Sequence, residues 1–80
     1  MSATDHHWTE RMSRRQRQLD ELTALCRRGA VARAIDLAFE HVAMFGTDDD
    51  LIRLLRETIV RPGVPERVRR RFTELDDATR

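Results

Sequence analysis

The feature that most restricts the fold of this 80-residue chain is a helical spacing of apolar residues that runs almost from end to end, cut by isolated glycines and prolines. Trp8, Met12, Leu19, Leu22 and Cys26 follow steps of three and four, with Arg15 interrupting the series, so they share one face of a helix predicted from about Trp8 to Arg28. Leu25 widens that stripe. Arg27 and Arg28 suit the negative end of a helix dipole, and Gly29 is the residue that most readily takes the left-handed turn after it. A second helix, Ala30 to Phe45, is apolar around most of its circumference through Val31, Ala34, Ile35, Leu37, Ala38, Val42, Met44 and Phe45. Only Arg33, Asp36 and Glu40 form a polar stripe, so this helix is expected to have neighbours on at least two sides.

Gly46 closes the second helix, and Thr47 followed by Asp50 has the spacing of a capping box, with Asp48 and Asp49 also suited to a first turn. The third helix is predicted over about Asp48 to Val60, with Leu51, Ile52, Leu55 and Ile59 inward and Leu54 beside them. Arg61-Pro62-Gly63 ends it, because a residue before proline avoids the helical region. Pro65 opens a fourth helix to about Asp77, whose narrow stripe of Val68, Phe72 and Leu75 packs on one side only. No alternation of strand type competes. The short connections make consecutive helices antiparallel, giving an all-α compact bundle of about four helices built as two helical hairpins. Residues 8–77 form a single helical domain, residues 1–7 a flexible N-terminus and residues 78–80 a frayed end.

A chain of this length buries only about 60% of its unfolded surface, so its stability margin is thin and a dimer interface would add to it. Cys26 is the only cysteine, which rules out an intrachain disulfide framework. No apolar run approaches the roughly 20 residues of a membrane span, and MSATDHHWTERM lacks the apolar core of a signal peptide. A cytoplasmic protein with no membrane contact is expected.

All fifteen cations are arginine, against fourteen carboxylates and a formal net charge of +1. Asn and Tyr are absent along with Lys, the pattern of a GC-rich coding sequence, so the choice of arginine by itself names no ligand. Glu10 and Arg14, Arg17 and Glu21, Glu66 and Arg70 stand at i,i+4, and Arg71 and Glu74 at i,i+3, each pair able to neutralise itself along a helix. Arg11, Arg15, Arg67 and Arg69 have no local partner and are the candidates for phosphate contact.

The run from Leu25 to Gly46, LCRRGAVARAIDLAFEHVAMFG, resembles the middle of a tetratricopeptide repeat through Gly29 at the turn and Ala34 and Ile35 early in the following helix. It departs from that pattern at Leu22, His41 and Gly46, where a repeat has a small residue, an alanine and a proline. The resemblance covers about half of one hairpin. It implies a helical protein-binding module and transfers no ligand and no site residue.

Other chemistries fit less well. Val42, Gly46, Ile52 and Leu55 fall near helix-turn-helix positions, but the recognition helix would present Asp48, Asp49 and Asp50 to phosphates, like charge to like. His6, His7, His41 and Cys26 give no paired metal ligands on one helical face, and the aspartates lack the glycine and distal glutamate of a calcium loop. Cys26 with His41 is the only nucleophile and base worth naming, and no third group orients them. The glycines are isolated, so no phosphate loop exists. The sequence therefore predicts a non-enzymatic interaction module without cofactor or small-molecule substrate, which adapts, regulates or completes a larger assembly. It would contact a protein partner or a second copy through Trp8, Met12, Arg15, Leu19, Leu37 and Met44. The alternative is a nucleic-acid-associated regulator using Arg11, Arg15, Arg67 and Arg69, if the first and fourth helices lie side by side.

Overall fold

A computed structural model describes the backbone from residue 3 and the side chains from residue 13, in both cases through residue 80. The chain forms four helices, α1 (Ala3–Arg27), α2 (Val31–Phe45), α3 (Asp49–Ile59) and α4 (Glu66–Ala78). Helix α1 thus begins before the Trp8 start predicted from the apolar spacing. No strand occurs among the described residues, and the all-α bundle expected from the periodicity is the fold.

The stop signals act as their chemistry dictates. Gly29 takes φ +78°, while its amide donates to Cys26 O and that of Ala30 to Leu25 O, the paired bonds that satisfy a helix's last carbonyls. Gly46, at φ +84°, ends α2 with its amide donating to Val42 O at 2.8 Å. The core then forms from the predicted faces: Leu22, Leu25 and Cys26 of α1, Val31, Ala34, Ile35 and Ala38 of α2, Leu51, Ile52 and Leu55 of α3, and Val68, Phe72 and Leu75 of α4. Leu19, Leu37, Phe39, Val42, Leu54 and Ile59 are half-buried around it.

Helix α2 is the hub, touching α1, α3 and α4. Its all-round apolarity is thereby accounted for within one chain; of its larger apolar residues only Met44 is exposed, at 55%. Helix α4 buries the one stripe of Val68, Phe72 and Leu75 and with it packs on both α2 and α3. Arg71 joins it to α2, pairing with Asp36 and placing its guanidinium 5.1 Å from the centre of the Phe39 ring. It does not take the i,i+3 pairing with Glu74, because the interhelical carboxylate comes with an aromatic face that a guanidinium plane can cover. At the C-terminal end the Thr79 amide donates to Leu75 O, and Arg80 pairs with Asp76 at 3.1 Å. Among the described residues α1 and α4 make no contact, so they occupy the two sides of the α2–α3 pair.

Candidate functional site

The two ends of α2 carry opposite chemistry. At its C-terminal end, a polar cluster joins α1, α2 and the start of α3. His41, fully buried, brings Nε2 to 2.9 Å from Asp48 Oδ2 and Nδ1 to 2.8 Å from the Gln18 side-chain amide. Arg15 closes the cluster from α1, donating from Nε to Asp48 Oδ2 at 2.9 Å and from Nη2 to Asp48 Oδ1 at 3.0 Å, with Asp50 Oδ2 3.6 Å away. The fork-on-carboxylate geometry is the one that arginine supplies and lysine does not. Burial pushes the Asp48 carboxyl toward its neutral form, but hydrogen bonds from His41 and Arg15 outweigh it and hold the group below its usual range. Hydrogen bonding and charge from Asp48 raise Arg15 in turn. The Gln18 amide accepts from a protonated ring through oxygen or, turned over, donates to a neutral one through nitrogen, so the cluster is satisfied in either state. No buried side-chain nitrogen or oxygen among the described residues lacks a partner.

This cluster corrects three sequence expectations. Arg15, expected as a surface contact or phosphate ligand without a local partner, is engaged by Asp48 and Asp50. Asp48 occupies the N-cap position of α3 but makes no side-chain cap bond, and Thr47 and Asp50 form no capping box, because the Asp48 carboxylate is turned inward. His41, named from the sequence as a base beside Cys26, is a core residue. Its ring stands 5.0 Å from that of Phe45 and is fixed at both nitrogens, in the cluster at the opposite end of α2 from Gly29 and Cys26. Cys26 is buried at 1% exposure.

The N-terminal end of α2 is different. Helices α2 and α4 both begin there, beside the connection from Val60 to Pro65, and a groove of about 400 Å³ runs between them. A second cavity of about 310 Å³ shares Ala32, Arg67 and Val68 with the first and extends it to Ile35 and Arg71. Val31, Ala32, Val64 and Val68 give the groove an apolar lining, and its charged lining residues are Arg33, Arg61 and Arg67. No carboxylate lines it, and none of the three arginines is ion-paired among the described residues. Arg61 is anchored by donating from Nη1 to Cys26 O at 3.2 Å, a carbonyl at the C-terminal end of α1.

Neither helix start is capped by a side chain, since Ala30 and Pro65 stand at the N-cap positions and have no acceptor to offer. Arg33 and Arg67 sit in the first turns of α2 and α4, where the dipole disfavours a cation; in α4 Glu66 stands beside it, whereas the first turn of α2 holds no acid. That violation was readable in the sequence: arginine soon after an uncapped start, twice, at ends that the connections α1–α2 and α3–α4 bring together. Sequence reasoning assigned Arg33 to a solvated stripe and Arg61 to a stop signal, and so missed the groove.

Of the other predicted contact residues, Leu19 and Leu37 are half-buried against the core, Met44 is exposed, and Arg69 is exposed on α4 outside the groove. The side chains of Trp8, Met12 and Arg11, and those of His6 and His7, lie outside the described residues. Of the arginines proposed for phosphate contact, Arg15 and Arg67 belong to helices that make no contact among the described residues. No cluster of His, Cys, Asp and Glu suited to a metal ion occurs among the described residues, and no described helix is long and apolar enough to cross a membrane. Comparison with protein-family models, with curated proteins and with solved structures found no match.

Proposed function

We propose that this chain is a non-catalytic helical module that docks a protein partner in the groove between α2 and α4. The observation that carries the reading is an open, apolar-lined groove edged by Arg33, Arg61 and Arg67 with no carboxylate among its lining residues. Its volume suits a few side chains, and arginines around an apolar centre are the composition of a protein contact surface. The tetratricopeptide resemblance points the same way: Gly29 makes the turn, while Ala34 and Ile35 are fully buried where α2 meets its neighbours. The occupation of His41 and Cys26 in the packed interior supports a role for them in folding rather than in chemistry.

Contact with a second copy was expected through Trp8 and Met12, whose side chains lie outside the described residues, and through Leu19, Leu37 and Met44. With α2 enclosed by three helices, the large apolar residues exposed among the described ones are Met44 on α2 and Val60, 72% exposed, after α3. The test is site-specific photocrosslinking in the cells of origin, with benzoylphenylalanine at Ala32 in the groove and, as control, at Glu57 on α3. Protein adducts concentrated at position 32 are expected. Equal labelling at both positions, or none at either, overturns the reading.

A further inference from the structure

We infer that the groove between α2 and α4 selects an acidic segment of its partner, one that places an apolar side chain against Ala32 and Val64 and carboxylates toward Arg33, Arg61 and Arg67. The inference rests on the proposed docking function and adds the chemistry of the occupant. Charge complementarity carries it. Arg33, Arg61 and Arg67 line one groove, no carboxylate lines it with them, and two helix starts without a side-chain cap lie at the same place, that of α2 with no acid in its first turn and that of α4 with Glu66 there but outside the lining.

Elsewhere on the described chain, arginines that approach another element through their side chains meet acids: Arg15 with Asp48 and Asp50, Arg56 with Asp76, Arg71 with Asp36. Arg61 is the exception, and it meets a main-chain carbonyl, which leaves its charge uncompensated. A carboxylate arriving at the groove meets cations that have no ion-pair partner among the described residues, beside two helix starts whose first internal bonds begin only at Ala34 and Val68. The apolar lining makes an amphipathic segment a better occupant than a bare anion. An inorganic ion would leave Ala32 and Val64 as they are, whereas a leucine or isoleucine beside the carboxylates covers them. A nucleic acid would find the cations but only an aliphatic floor, with no aromatic ring among the lining residues for a base to stack on.

The full chain, immobilised, is to be panned against a phage-displayed library of random peptides about twelve residues long, and the enriched peptides measured by fluorescence anisotropy. Enrichment of Asp and Glu flanking Leu, Ile, Val or Phe is expected, with affinity falling about tenfold or more in R33E/R67E and on raising salt from about 50 to about 300 mM. A32W, which fills the groove without changing its charge, weakens binding comparably. R69E/R70E, matched in charge on α4 but outside the groove, retains affinity, and circular dichroism confirms that all variants are folded. Peptides without an acidic excess, affinity indifferent to R33E/R67E and A32W, a dimer by light scattering that A32W dissociates, or tighter binding of a single-stranded oligonucleotide each overturn the inference. Peptide binding that survives in the groove variants removes this site and occupant while leaving an interaction module; absence of any protein or peptide binding removes both.

Discussion

The two ends of α2 solve the same problem, how to place arginines in a small domain, in opposite ways. At the C-terminal end, Arg15 is bound to Asp48, which is bound to His41, which is bound to Gln18, and the charges are consumed internally. At the N-terminal end, Arg33, Arg61 and Arg67 surround an apolar groove with no acid among its lining residues. The difference teaches that arginine count says little about binding. What separates a structural arginine from an available one is whether the fold brings a carboxylate to it. A near-neutral chain can therefore hold a locally positive site.

The largest effect expected to sharpen this contrast is at the closed end. His41→Ala empties a fully buried position and strips Asp48 and Gln18 of their partner, so a loss of about 3 kcal/mol is expected from urea denaturation. A near-neutral result would mean that the cluster contributes nothing to the fold, and the contrast would fail. Asp48→Asn is expected to cost about 1–3 kcal/mol at neutral pH by leaving the donors of Arg15 and His41 poorly matched.

The pH dependence of that cost has a definite sign. The folded-state carboxyl of Asp48 is held below its ordinary value of 3.8, so it contributes stability in full above that value and loses it as pH falls through the lower, folded-state value. The gap in melting temperature between the parent and Asp48→Asn should thus be widest near neutrality and narrow below about pH 4. A gap that widens on acidification would reverse the assignment.

Smaller effects belong to the open end. Gly63, in the connection that lines the groove, takes φ +88° with open space where a side chain would stand. Gly63→Ala is expected to cost about 1 kcal/mol, from backbone strain alone. The smallest change is expected for Arg33→Gln and Arg67→Gln, within about 0.5 kcal/mol of the parent. Losses above about 1 kcal/mol in these variants would show that the groove arginines hold the fold together, erasing the difference between the two ends.

Legibility in the sequence was uneven for a physical reason. The spacing of three and four along Leu19, Leu22 and Cys26, or along Val68, Phe72 and Leu75, reflects which face of a helix meets apolar neighbours, and such a face is encoded locally. Both glycine stops were equally local, since Gly29 and Gly46 adopt backbone angles that other residues rarely take. Pairing across helices was not. Asp48 read as a helix cap and Arg15 as a free cation because their partners stand 33 positions apart, and Arg71 met Asp36 across 35. Nothing in the i,i+4 rule anticipates a contact of that separation. The groove was half-legible, through arginines misplaced at uncapped helix starts, but its lining needed the α3–α4 connection to fold beside the start of α2.

By itself, then, the chain's apolar period and its glycine and proline breaks determined four helices, their faces and an all-α bundle, because burying one stripe per helix against the next is a requirement local sequence can state. Only the tertiary structure decided that α2 is enclosed by three helices, that His41 and Asp48 are interior, and that α1 and α4 stay apart. It also decided which of the fifteen arginines are neutralised. Coulombic partnership depends on distance in space, and a sequence specifies that distance only through the packing of its apolar faces.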